Sequence, residues 1–261
     1  MKNKSKISAN TLFHFTSSSE RLLDILEDTF HPRYCPEDIS TIEKEYTEGA
    51  MPNYAIPMTC FCDIPLSEIG DHTEEYGNYA IGLTKDWGIK NGINPILYTI
   101  PNTTASKTIR ALADYSINLP TEQYSKELFV NMTYLSCFTK KYIGKQFKDG
   151  KYKDELINLY NEREWRYVPQ IEKITEMKID LIMPMEVFLN PETKNSWNQI
   201  LRDGCKIHFT PNDIRYIIVK EEKEIVSILD KIMQIKARFL DEEKKLLTTR
   251  IISMENIRDD F

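Results

Sequence analysis

Residues 161 to 169 read NEREWRYVP, with Glu164 and Trp165 between two arginines and a closing proline. If this stretch is a strand, Glu164 and Arg166 share one face, and Arg163, Trp165 and Tyr167 take the other. Glu164 is then either a surface carboxylate in an ion pair worth under ~1 kcal/mol, or the acid around which a site is built. His14 poses the same choice. In TLFHFT it alternates with Phe13 and Phe15, with Thr16 two residues on and on its face. It is either a hydrogen-bonding group for a ligand hydroxyl or a satisfied structural histidine.

Two further groupings have chemical types worth weighing. Cys60-x-Cys62, with His72 ten residues on, offers three metal-ligand types, but no second cysteine pair completes a zinc knuckle. Two small cysteines on one strand face read as packing, so no metal is expected. The stretch CFTKKYIGKQFKDGKYKDE interleaves Lys140, Lys141, Lys145, Lys148, Lys151 and Lys153 with Phe138, Tyr142, Phe147 and Tyr152. Lysines neutralise phosphates and aromatics stack on unpaired bases, so the strip suits single-stranded RNA or DNA. The alternative is an amphipathic helix with aromatics inward and lysines in water.

The elements that must position these groups follow from periodicity. TLFHF, MTCFC, YAIGLT, ILYTI and EWRYV read as strands, as do IDLIMPMEVF, KIHFT and the strongly apolar IRYIIV. TSSSERLLDILEDTF is a capped amphipathic helix with Ser17 and Glu20 three apart, and IPLSEIGDHTEEYGN is a helix ending at Gly77. Residues 102–146 are mostly helical in pattern, and 221–248 reads as one long charged helix. Strands and helices mix without regular βαβ spacing. The expectation is a single α+β domain over 1–261, with a mixed, split sheet and a helical insertion at about 102–160.

Composition bounds the function. The chain has 261 residues, 41% hydrophobic and 11% aromatic, enough for a real core. A net charge of −6 argues against coating nucleic acid with a wholly basic surface, while allowing a local basic strip. There is no membrane-length apolar run and no apolar region behind the N-terminal lysines, and the five cysteines are odd in number and irregular. These features point to a cytoplasmic protein with reduced thiols and no membrane partner. The nine glycines form neither standard phosphate cradle, and the DEEKK and RDD runs read as solvated charge rather than a nuclease carboxylate cluster.

The H-x-T strand, CFCDIPLSEIGDHTEEYGNYAIGLTKDWGI, NPILY, EREWRY and HFTPNDIRYIIV together resemble the AbiGi family of bacterial phage-resistance proteins, over most of the chain. The resemblance implies one half of an abortive-infection pair, with a cognate toxin or antitoxin as partner. The order of an H-x-T strand, an aromatic middle and a late strand glutamate also resembles the ADP-ribosyltransferase fold, including DarT-like nucleic-acid modifiers. That likeness implies NAD as substrate and RNA as the favoured acceptor. Cleaving the nicotinamide–ribose bond develops positive charge on the sugar, which calls for a carboxylate. The implied set is Glu164, His14 and Tyr79 in catalysis, with His14, Thr16, Tyr76 and Tyr79 around NAD and Lys140, Lys141, Lys145 and Lys148 on the nucleic acid. No arginine stands beside His14, so the set follows the histidine–tyrosine–glutamate variant. The favoured reading is therefore a phage-defence toxin of ADP-ribosyltransferase type that uses NAD, and the rival is a non-catalytic antitoxin or regulator that binds a partner protein.

Overall fold

Alternation in TLFHFT becomes the Thr11–Thr16 strand of a computed structural model that describes residues 10–38, 54–118, 123–148, 150–235 and 238–260. The fold is α+β with a mixed sheet. It divides into two compact units: one of residues 1–30, 60–93 and 207–261, the other of 31–59 and 94–206.

In the first unit, the Thr11–Thr16 strand pairs antiparallel with Tyr79–Thr84, in a register that sets Thr16 opposite Tyr79 and His14 opposite Ile81. Tyr79–Thr84 pairs antiparallel with Ile214–Val219, which runs parallel to Ile251–Ser253. On the other edge, Phe13 faces Cys62 at the end of the Tyr54–Cys62 strand. Phe13, Ile64, Ile69, Ala80, Ile218, Met254 and Ile257 fill one buried cluster. The Ser19–Asp28 helix buries Leu22, Leu23 and Leu26 and packs against the Ile225–Gln234 helix, which buries Ile228 and Ile232. Its cap is Ser18, one residue after the expected Ser17, with Oγ accepting from the Arg21 N–H. Gly77 ends the Ile69–Tyr76 helix as expected, at φ +108°, where an added Cβ would sit 2.3 Å from the Thr16 carbonyl oxygen. Only glycine fits both the angle and the space.

Three expectations are corrected. The expected 221–248 helix is two, Ile225–Gln234 and Asp241–Thr248; between them Arg238 lies over the Phe209 and Phe239 rings and donates to the Ile25 carbonyl at 3.2 Å. KIHFT is no strand and makes a single bridge, Ile207 with Phe30, because its aromatic joins a ring cluster. IDLIMPMEVF contributes a two-residue strand, Met183–Pro184, and a short helix, Met185–Phe188.

In the second unit, Arg33–Glu37 pairs antiparallel with the first residues of Tyr54–Cys62, and Glu164–Tyr167 pairs antiparallel with Asn94–Pro95. The helices Thr104–Asn118 and Gln123–Cys137 pack through Ile109, Ala113 and Met132. The α-helix therefore ends at Cys137, and the expected insertion continues as β-structure until the 3-10 turn Leu159–Glu162. Thr139–Lys141 runs parallel to Leu97–Thr99, and Ile143–Lys148 pairs with Lys151–Asn158 as a hairpin. Gly150 takes φ +79° in its turn. No described helix is long and apolar enough to cross a membrane.

Candidate functional site

Burial along Glu164–Tyr167 alternates as strand periodicity requires: Glu164 and Arg166 point inward, Trp165 and Tyr167 are half-buried. Arg166 is 0% exposed, so its guanidinium must find charge and acceptors inside the protein. Its Nε donates to Glu164 Oε1 at 2.6 Å, Nη2 to Glu164 Oε2 at 3.1 Å and also to Glu37 Oε2, and Nη1 to the Cys137 carbonyl at 2.8 Å. Lys140 Nζ completes the cluster, 2.9 Å from Glu164 Oε2 and 2.7 Å from Glu162 Oε2. The Glu164 backbone N–H donates to the Tyr98 hydroxyl at 3.0 Å. Glu164 is thus a buried carboxylate with both oxygens committed to cations.

Three carboxylates (Glu37, Glu162, Glu164) face two cations here. Burial pushes the Glu37 carboxyl above its ordinary range, with Arg166 and Lys140 opposing and the neighbouring glutamates adding to the rise. Burial would lower the Lys140 ammonium, but Glu164, Glu162 and Glu37 together outweigh it and hold it well above the usual lysine range. The Cys137 thiol is pushed up to about 12, chiefly by burial, and the Cys35 thiol to about 11 for the same reason. Such thiols carry little thiolate at neutral pH, so neither suits a nucleophile. Among the described residues the cysteines form no disulfide, and no group of three or more His, Cys, Asp or Glu could hold a metal. The side chain of His72 lies outside the described residues.

The first unit gathers His14, Thr16 and Tyr79 on one face of adjacent strands. His14 Nδ1 lies 2.8 Å from the Cys60 carbonyl; a carbonyl only accepts, so Nδ1 carries the proton. Its ring meets Phe30 at 5.2 Å and Phe61 at 5.6 Å, within a cluster that includes Trp87 and Phe209. Tyr79 donates to Glu224 Oε1 at 2.7 Å, and burial, followed by that bond, raises its phenol pKa. Tyr76 is half-buried at the end of its helix.

The lysine strip divides. Lys140 and Lys141 sit on a strand and point apart, Lys140 into the glutamates and Lys141 to Asp38 at 2.7 Å. Neither belongs to an open basic track. Lys145, Lys151 and Lys153 are exposed and Lys148 half-buried, on a two-stranded ribbon rather than a helix.

Residues 28–220 match the family model described as "Putative abortive phage resistance protein AbiGi, antitoxin". The chain belongs to the AbiGi family. It is also 28% identical, over 250 residues covering 89% of this chain and 99% of the relative, to the abortive phage resistance protein AbiGi of Lactococcus lactis subsp. cremoris. No solved structure matches. The AbiGi span contains the whole charge cluster, the ribbon and Tyr79, and begins after His14 and Thr16.

Sequence reasoning missed Glu37 and Glu162. Glu162 had no strand signal, since it closes the Leu159–Glu162 turn and Arg163, at φ +43°, breaks the alternation before Glu164. Glu37 had no signal either, since it meets Arg166 across 129 positions of sequence.

Proposed function

We propose that this AbiGi-family protein is the antitoxin member of an abortive-infection pair and acts by binding its cognate toxin, with no reaction of its own. The observation that carries this reading is the commitment of Glu164, whose two oxygens are held by Arg166 and Lys140. A carboxylate that stabilises a developing sugar cation needs an oxygen free to face the sugar. Here Arg166 and Lys140 occupy both oxygens, which suits a structural group. The antitoxin description of the family supports the same direction. The test is expression of the chain alone and together with its cognate toxin. Growth should be normal alone, and toxin arrest should be relieved on co-expression; arrest by the chain alone would overturn the reading.

A second reading, transfer of ADP-ribose from NAD to RNA, draws on one observation: His14, Thr16 and Tyr79 share a face of paired strands. Glu164 as it stands does not fit the carboxylate role, and no chemical step is derived through it. A ligand that binds only the folded chain raises its melting temperature. A clear upward shift with millimolar NAD, lost in His14→Ala, would revive this reading; a flat response would remove it.

A further inference from the structure

The second unit presents a mixed apolar and aromatic patch whose composition is that of a protein-binding surface. Antiparallel register sets Lys145 opposite Leu156 and Ile143 opposite Asn158, so these four share one face of the ribbon. Ile143 is 51% and Leu156 63% exposed. The Asn158 amide donates to the Tyr142 hydroxyl at 3.4 Å, Tyr142 stacks on Tyr160 at 5.5 Å, and the Arg163 guanidinium lies 5.9 Å from the centre of the Tyr160 ring. The patch therefore runs from two exposed aliphatics to a tyrosine–arginine group, bordered by the cations Lys145 and Arg163.

We propose that this patch is the surface that binds the cognate toxin, through an apolar side chain of the toxin set among carboxylates; the inference rests on the antitoxin reading above. Tyrosine and arginine beside well-packed apolar groups are the usual energetic centre of protein interfaces. Arg163 and Lys145 give the patch a positive border in a chain of net charge −6, which selects an acidic partner surface. Nucleic acid fits less well. Base stacking needs an open ring face, whereas Tyr160 already has Tyr142 stacked on it, Arg163 over it and Tyr98 edge-on at 5.2 Å. Two half-exposed aliphatics offer phosphates nothing.

The test is calorimetric titration of the purified full chain with its purified cognate toxin. The double variant Ile143→Glu with Leu156→Glu should bind at least ~30-fold more weakly, as loss of a central contact does. Val226→Glu, an equally exposed aliphatic in the first unit, should bind as wild type does. Should the double variant lose its cooperative melt, Lys145→Glu with Arg163→Glu takes its place and should slow association and reduce its salt dependence. Undiminished affinity in variants that melt like wild type would overturn the patch while leaving the antitoxin reading in place. Failure of the wild-type chain to bind or neutralise the toxin would overturn both. Loss of single-stranded RNA oligonucleotide binding in the double variant, with toxin binding intact, would reassign the patch to nucleic acid.

Discussion

His14 and Glu164 carry the two most chemically suggestive side chains of the sequence, and the two units hold them by different physics. In the first unit, His14 is one ring among rings, set by Phe30 and Phe61 and by a hydrogen bond to the Cys60 carbonyl. In the second, Glu164 is one charge among charges, set by Arg166, Lys140 and, through Arg166, Glu37. Ring packing tolerates exchange for another ring, because dispersion and area change little. A buried charge network does not tolerate loss of a member that leaves another charge without its partner, because the remaining charge keeps its desolvation cost.

The sharpest way to break the comparison is Arg166→Met. It strips Glu37 and Glu164 of their shared cation, and should cost about 3–5 kcal/mol in chemical denaturation, or abolish folding. A loss under ~1 kcal/mol would mean that the cluster is not the structural centre of its unit. Glu164→Gln keeps the shape but leaves Arg166 and Lys140 facing a neutral amide, for an expected loss of about 1–3 kcal/mol. If the variant instead keeps wild-type stability, Glu164 is available for another role and the transferase reading gains.

His14→Phe removes one donor and retains the ring, so the expected loss is only about 1 kcal/mol by thermal or chemical melting. A loss matching that of Arg166→Met would erase the contrast between the units. The smallest effect is expected from Glu37→Gln, because three carboxylates face two cations and losing this one leaves both cations paired with Glu164 and Glu162, and it is read in its pH dependence. Burial raises the folded-state pKa of Glu37 above its unfolded value. Its stabilising contribution is therefore fully present below the unfolded carboxylate pKa of about 4, and is lost as pH rises through the higher folded value. Glu37→Gln should flatten that part of the stability–pH curve and be close to wild type at neutral pH. An unchanged slope would place the acid-range titration elsewhere.

Local pattern alone determined a good deal of this protein. Thr11–Thr16, Tyr79–Thr84 and Ile214–Val219 are strands because short apolar segments enriched in β-branched and aromatic residues run there, and the Ile69–Tyr76 helix stops where Gly77 can take a positive φ. The pairing of Glu164 with Arg166 was legible too, since a two-residue spacing on a strand is a local fact. The hairpin at 143–158 had its own signal in the Asp149-Gly150 dipeptide between flanking lysines; aromatics four and five residues apart imitate a helix and obscured it.

What only the tertiary structure decided is the meaning of the charges. A charged side chain reads the same in sequence whether it faces water or protein, and its energetics invert between the two because burial removes the solvent that would screen it. Lys140 and Lys145 belong to one lysine strip, yet one closes a buried cluster and the other is exposed on a ribbon. Glu37 reaches Arg166 from 129 residues away. The break after Gln234 is likewise long-range, since Arg238 donates to the Ile25 carbonyl across 213 residues. No spacing rule reaches that far: such partners are chosen by which faces the chain buries together, and burial is a property of the assembled fold.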